Sequence, residues 1–127
     1  MGLDQYLEKR KKNVKDAPYE EVAYWRKANQ VREWFVNNIE AMTYDSNCEA
    51  FPVTKELLEQ LVLDCKKVLN NKCQATELLP TSSGFFFGGT EYNEYYFDGL
   101  KQTVTMVQKV INETDWETEE VAYYEWW

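Results

Sequence analysis

The sequence contains no histidine, which removes the commonest side chain for general acid–base catalysis and for metal binding. Catalysis of the Ser-His-Asp or Cys-His type is therefore excluded, as are zinc sites that combine cysteine with histidine. The paired carboxylates Glu91 with Glu94 and Glu119 with Glu120 lie in an acidic context that gives no reason for the raised pKa of a catalytic acid. We therefore expect no catalytic residue, no metal and no cofactor.

Cysteines are few, and long apolar runs are missing. Cys48, Cys65 and Cys73 are an odd number, with no Cys-x-x-Cys pair, so neither a disulfide framework nor a metal knuckle is indicated. No apolar run approaches the roughly 18 residues that cross a membrane. Residues 1–12 also lack the apolar centre of a signal peptide. These features predict three free thiols in a cytoplasmic protein without a membrane partner.

Positive charge is scarce in the second half of the chain. Residues 1–70 carry 11 Lys and Arg against 12 Asp and Glu, whereas residues 71–127 carry 3 against 10, within a total net charge of −8. Because affinity for nucleic acid depends on neutralising phosphates, we expect no direct binding to nucleic acid. The basic run Lys9-Arg10-Lys11-Lys12, followed by Lys15, is predicted to be a solvated loop.

Three segments have the apolar spacing of amphipathic helices. Thr54 is predicted to be the N-cap of the second, and Gly99 weakens the third by about 1 kcal/mol relative to alanine. The first segment has a polar side that is expected to face water, formed by Arg26, Asn29, Gln30 and Glu33. The three segments are residues 24–42, residues 54–70 and residues 91–111.

Both ends of the chain favour strands, at residues 3–8 and 118–127. The connecting residues 9–18 and 43–52 are predicted to be loops. We expect a single small α+β domain over residues 1–127, since 44% hydrophobic and 16% aromatic residues suffice for one core. Its small sheet is predicted to combine the paired terminal strands with a Gly/Phe-rich segment, residues 81–90.

The Gly/Phe-rich segment, residues 81–90, leads into the third predicted helix. Its glycines permit positive φ and close approach of a ligand, and helix N-terminal amides attract anions. It is neither a Walker A motif nor a dinucleotide fingerprint, because no lysine follows the glycines and the spacing differs. Two interpretations stay open: a buried core hairpin built on Phe85-Phe86-Phe87, or a loop that contacts a ligand.

Residues 24–30 place aromatic rings, a guanidinium and amides within two predicted helical turns. Such a set can hold a flat or phosphorylated ligand by stacking and bidentate hydrogen bonds. A pocket would form if this helix packs beside the Gly/Phe-rich segment. The candidate ligand-binding residues are Trp25, Arg26, Asn29, Gln30, Ser82, Ser83, Gly84, Gly88, Gly89 and Thr90.

The tail, residues 112–127, carries six acidic and no basic residues, interleaved with aromatic ones. Such a surface can imitate nucleic-acid phosphates or occupy a basic groove on a protein. The same pattern suits an edge strand whose acidic positions prevent aggregation. The tail repeats the pentapeptide Glu-Glu-Val-Ala-Tyr of residues 20–24 at residues 119–123, but a single repeat of five residues does not define a repeat architecture. The candidate protein-binding residues are Glu117, Glu119, Glu120, Tyr124 and Trp126.

Several motifs together resemble a family of small acidic proteins encoded by bacteriophages, prophages and some bacterial chromosomes. They are Met1-Gly2-Leu3-Asp4 with Tyr6-Leu7, Tyr24-Trp25-Arg26-Lys27-Ala28-Asn29, Trp34-Phe35-Val36, and Leu78-Leu79-Pro80-Thr81 with Ser83-Gly84-Phe85-Phe86-Phe87-Gly88. Members of that family often have a histidine two residues before Trp-Phe-Val, where this chain has Arg32. The resemblance implies a phage-type origin and action in the host cytoplasm rather than a particular activity.

Three functions follow from these features. The first is a non-catalytic, phage-type protein that inhibits a host or defence protein through its acidic, aromatic surface. The second is a protein that binds or sequesters a nucleotide-like small molecule between the first helix and the Gly/Phe-rich segment. The third is an enzyme that uses Glu or Tyr acid–base chemistry, for which no supporting motif is present. A homo-oligomer is compatible with each.

Overall fold

The computed structural model describes residues 2–84 and 88–127, and it confirms the predicted α+β fold. A four-stranded antiparallel sheet has the order β2-β1-β4-β3, with helices packed on one face. In chain order the elements are β1 (Asp4–Lys11), β2 (Glu20–Arg26), α1 (Asn29–Asn38), β3 (Ala50–Val53), α2 (Lys55–Asn70), α3 (Ala75–Leu78), α4 (Glu94–Glu113) and β4 (Glu119–Trp126).

The terminal strands β1 and β4 pair with each other, as predicted. The other strands differ from prediction, because β3 begins in the expected loop 43–52 and β2 includes residues 24–26 of the expected helix 24–42. The described residues 81–84 and 88–90 of the Gly/Phe-rich segment are not in the sheet. Residues 85–87, the proposed core hairpin, lie outside the described residues.

The boundary between β2 and α1 explains that error. Val22, Tyr24 and Trp25 are strand-forming residue types. Burial alternates along β2, with Ala23 and Trp25 buried and Tyr24 exposed. Lys27 then has a φ of 54°, a left-handed conformation that ends the strand. Its N–H donates a hydrogen bond to the Leu3 carbonyl (2.7 Å), so the chain turns there and helix α1 begins only at Asn29.

The basic run is largely in strand β1 rather than in a loop. Lys9 and Lys11 each have their ammonium 3.8 Å from a carboxylate oxygen of Glu119, and Arg10 Nε lies 2.6 Å from Glu120 Oε1. Antiparallel pairing of β1 with β4 creates these contacts, because it sets the basic end of one strand against the acidic start of the other.

The core lies between the sheet and the helices. Thr54 Oγ1 accepts a hydrogen bond from Leu57 N–H (3.0 Å), which confirms it as the N-cap of α2. Gly99 allows close contact between α4 and α1, since a Cβ there would lie 3.0 Å from Gln30 Nε2. The largest fully buried apolar side chains are Trp34, Tyr123, Phe35, Leu3, Leu7, Leu58, Leu61, Leu79 and Leu100.

The polar side of α1 is buried rather than solvated. Asn29, Gln30, Arg32 and Glu33 are each at most 9% exposed. Arg32 Nε lies 2.6 Å from Glu125 Oε2 of β4, and its Nη2 donates to the Tyr44 carbonyl (2.7 Å). The helix is therefore held by polar contacts on the side that periodicity alone assigns to water.

Cys48 and Cys73 are exposed, Cys65 is buried, and all three are free thiols. Burial raises the pKa of the Cys65 thiol to about 12, which keeps it protonated and unreactive at neutral pH. None of the described helices is long and apolar enough to span a membrane. Within residues 2–84 and 88–127, no cluster of three or more acidic or cysteine side chains could hold a metal ion.

Candidate functional site

A cleft of about 1120 Å³ lies where the end of β2, the Gly/Phe-rich segment and the start of α4 meet. Two of the predicted ligand-binding residues, Asn29 and Ser82, do not line it. The other eight do: Trp25, Arg26, Gln30, Ser83, Gly84, Gly88, Gly89 and Thr90. The structure therefore brings together two predicted segments that lie about 55 residues apart in sequence.

The side chain of Asn29 links the two ends of the Gly/Phe-rich segment from a buried position outside the cleft lining. Its Nδ2 donates to the Gly89 carbonyl (2.8 Å), and its Oδ1 accepts from Ser82 N–H (3.0 Å). Because the side chain is almost fully buried and bonded on both sides, Asn29 positions the wall of the cleft. This is a different role from the ligand contact predicted for it.

The base of the Gly/Phe-rich segment is closed by hydroxyl groups. Thr81 Oγ1 donates to the Thr90 carbonyl (2.9 Å), and Thr81 N–H donates to the Tyr92 hydroxyl (3.1 Å). Gly88 has a φ of +86°, and a Cβ there would lie 3.2 Å from Lys27 Cβ. Glycine is thus required at Gly88 both by its backbone conformation and by its contact with Lys27.

Trp25 cannot supply the stacking ring that the sequence predicted. The ring is 4% exposed, its Nε1 donates to Thr103 Oγ1 of α4 (2.8 Å), and its edge contacts Phe35. It lies on strand β2 rather than on a helix, and the pleat turns it into the core. The exposed rings that line the cleft are Tyr24, at 40%, and Tyr95, at 85%.

Arg26 lies at the mouth of the cleft, beside Tyr24 and Asp4. Its Nη1 is 3.1 Å from Asp4 Oδ1, which also accepts a hydrogen bond from the Tyr24 hydroxyl (2.5 Å). That hydrogen bond raises the pKa of Tyr24, so the ring stays neutral. The Arg26 side chain is half exposed, which leaves part of its guanidinium open to a ligand.

The charges of the cleft are divided between its walls. Arg26 and Lys27 contribute positive charge at the end of β2, while Glu91 and Asp98 contribute negative charge at and near the start of α4. Amides and hydroxyl groups lie between the two sides. The cleft therefore suits a polar ligand with an anionic group at one end and hydrogen-bond donors at the other.

Helix α4 supplies the residues that sequence reasoning missed. Tyr95, Asp98 and Gln102 all line the cleft and are spaced at i, i+3 and i+7, the spacing of one helix face. That polar stripe is a signal in the sequence, but it becomes meaningful only once the Gly/Phe-rich segment is known to lie beside it.

The predicted protein-binding residues of the tail do not form one surface. In β4, Glu119 points to the side of buried Val121, whereas Glu120, Tyr124 and Trp126 point to the opposite side. Glu117 precedes the strand. Since Glu119 and Glu120 are ion-paired with β1, much of the tail's negative charge is already matched within the chain.

No protein-family model, curated protein or solved structure matches this chain. The described lining of the cleft offers hydroxyl groups, amides, two cations, two carboxylates and two exposed tyrosine rings. Groups of these types can bind a ligand through hydrogen bonds, ion pairs and stacking.

Proposed function

We propose that this chain is a non-catalytic binding protein that holds a small nucleotide-like ligand in the cleft. The convergence of strand β2 with the described parts of the Gly/Phe-rich segment supports this proposal most strongly. The cleft is about 1120 Å³, slightly above the roughly 300–1,000 Å³ usual for sites that hold small molecules.

Each part of such a ligand has a matching group. The Arg26 guanidinium binds phosphate at the mouth, assisted by the hydroxyl groups of Ser83 and Thr90. Tyr24 and Tyr95 offer rings for a base. Asp98 accepts hydrogen bonds from sugar hydroxyl groups, and its charge disfavours a long polyphosphate. A nucleotide with few phosphates therefore fits best.

The resemblance to phage-encoded proteins suggests the setting of this activity. A phage protein that binds a nucleotide without converting it would lower the concentration of that nucleotide in a bacterial host. Inhibition of a host protein through the acidic tail is less well supported, because Glu119 and Glu120 are paired with Lys9, Lys11 and Arg10.

Thermal unfolding with a panel of nucleoside monophosphates, cyclic mononucleotides and cyclic dinucleotides tests the proposal. A ligand present at about 100 times its Kd should stabilise the protein by about 2.7 kcal/mol. Arg26→Ala should abolish that stabilisation while leaving the unliganded melting temperature nearly unchanged, because the side chain is half exposed.

Arg10→Ala is the matched control, since Arg10 is also a strand arginine in an ion pair, with 39% of its side chain exposed, but does not line the cleft. It should leave ligand binding unchanged. Equal loss in both variants, or binding that survives Arg26→Ala, would contradict this site, and no stabilisation by any member of the panel would contradict the ligand class.

A further inference from the structure

The face of the sheet opposite the helices has no covering element among the described residues. In β1, Gln5 and Leu7 are buried on the helix side, so Asp4, Tyr6, Glu8 and Arg10 point to the other side. We call this side the open face. Strand register sets its side chains in rows that cross the sheet from β2 through β1 to β4.

One row of the open face consists of three tyrosines. Tyr6 of β1 is directly opposite Tyr24 on one side and Tyr124 on the other, with ring centroids 5.3 and 6.1 Å apart. Trp126, which is 58% exposed, lies in the row beyond Tyr124. Tyr24 is 40% exposed, whereas Tyr6 and Tyr124 are half-buried. Aromatic rings that are accessible on a regular element are typical of protein interfaces, where they contribute contact area with little loss of conformational entropy.

The next row places two carboxylates opposite each other. Glu8 of β1 is paired with Glu21 of β2, and like charges in direct cross-strand pairs are destabilising. Burial and the nearby Glu21 raise the pKa of Glu8. Neither carboxylate has an ion pair within residues 2–84 and 88–127, whereas the arginines of this face are already paired, Arg26 with Asp4 and Arg10 with Glu120.

The β4 residue in the same row is Ala122, which is 5% exposed and has no polar group that could pair with either carboxylate. A group that docks over this row meets two carboxylates at one end and tyrosine rings along one side. Guanidinium suits both, because it binds carboxylates through its fork of N–H donors and stacks on aromatic faces. Nucleic acid would bring phosphates against the carboxylates, and a second copy of the chain would bring the same two carboxylates.

We propose that the open face binds a protein segment that places an arginine side chain against Glu8, Glu21 and the rings of Tyr6 and Tyr124. This inference does not rest on the cleft or on its nucleotide-like ligand. It centres the binding surface on the acidic pair of β1 and β2, and the tail contributes Tyr124 but none of its own carboxylates. Tyr24 and Arg26 border both sites, so the assignment depends on Tyr6, Glu8 and Glu21.

The test is an NMR titration of the isotope-labelled protein with the blocked peptide Gly-Ser-Tyr-Arg-Ser-Gly and with its neutral citrulline counterpart. The arginine peptide should shift the amide resonances of Tyr6, Glu8 and Tyr124 in a saturable way. Citrulline has nearly the same shape but no charge, so its peptide should bind about tenfold more weakly. Arginine binding should also lower the titration midpoint of the Glu8 carboxyl group, a change that packing alone would not produce.

The double variant Glu8→Gln/Glu21→Gln should lose binding by about tenfold or more. The matched control, Glu59→Gln/Glu77→Gln, removes two exposed carboxylates from helices α2 and α3 and should bind like the unmodified protein. The proposal fails if the citrulline peptide binds equally, if both double variants bind equally, or if the shifts map to the cleft. Absence of saturation at millimolar peptide, preferential binding of a single-stranded oligonucleotide, or self-association through this face would also overturn it.

Discussion

Strands β2 and β4 flank β1 and begin with the same five residues, yet they bury opposite sides of that pentapeptide. In β2 the alanine, Ala23, faces the core, and the tyrosine, Tyr24, is 40% exposed. In β4 the tyrosine, Tyr123, is fully buried and stacks on Phe35, with ring centroids 4.1 Å apart. Identical local sequence therefore does not decide which face of a strand enters the core.

The neighbouring residues make the choice. In β2, Trp25 follows the pentapeptide and is buried, so the pleat directs Tyr24 outward. In β4, Glu125 lies two residues after Tyr123 and pairs with the buried Arg32, so the pleat directs Tyr123 inward as well. A shift of register between Leu7 and Glu8 adjusts the pairing of β1 with β2 accordingly.

The largest expected difference between the strands is the cost of removing each tyrosine. Tyr123→Ala should destabilise the fold by about 4 kcal/mol, because it leaves a cavity against Phe35 and removes the hydroxyl partner of Gln5 and Glu125. Tyr24→Ala should cost about 0.5 kcal/mol. Urea unfolding of both variants measures the difference, and similar costs would show that the two strands are not distinguished by burial.

The ion pairs of the two strands provide a second comparison. Arg32 and Glu125 are each 1% exposed, and Glu125 also accepts from Tyr123 and Trp127. Arg32→Met should destabilise the fold by about 3 kcal/mol, because it leaves the buried Glu125 carboxylate without its cationic partner. Adding Glu125→Met should recover part of that loss, because the uncompensated charge is then gone.

Arg26→Met is the counterpart in β2, where the arginine side chain is half exposed. It should leave the urea midpoint unchanged, because exposed ion pairs contribute little to stability. If Arg26→Met were as damaging as Arg32→Met, Arg26 would be a structural anchor, and its proposed role in the cleft would have to be abandoned.

The comparison also shows what could be read from the sequence. Helix α2 and its N-cap Thr54 were predictable, because local spacing and capping chemistry determine them. Strand β2 was not, since its residues continue into α1 with helical spacing and only the turn at Lys27 separates the two. The burial of the polar side of α1 could not be predicted either, because Arg32 pairs with Glu125, which is 93 residues away in the sequence.

The candidate site, like the fold, was predictable only in part from the sequence. Residue types that bind ligands identified Arg26 and the Gly/Phe-rich segment, because glycine, hydroxyl and guanidinium chemistry is local. The burial of Trp25 and the hidden position of Asn29 depend on contacts with Thr103 and Gly89, which no local pattern reveals. The open face was missed because it exists only once three strands are in register.

The smallest expected difference concerns the second glutamate of each pentapeptide. Glu120 of β4 is opposite Arg10, whereas Glu21 of β2 is opposite Glu8. Glu120→Gln should therefore be slightly destabilising, and Glu21→Gln should be stabilising by about 0.2–1 kcal/mol at pH 7. The charged and titratable neighbours of Glu8 are Glu21 on β2, Tyr6 and Arg10 on β1, and Tyr124 on β4.

The gain from Glu21→Gln should depend on pH in a direction set by Glu8. Burial and Glu21 raise the pKa of Glu8 above its ordinary 4.5, so the folded state binds this proton more tightly than the unfolded state does. The loss of stability from ionised Glu8 is absent below pH 4.5. It develops as the pH rises from there through the raised pKa of Glu8, and it persists at neutral pH. Glu21→Gln should thus be more stable than the unmodified protein at pH 7 and equally stable near pH 4, as measured by urea unfolding at both values. A gain of the same size at both pH values would show that repulsion with Glu8 is not its source.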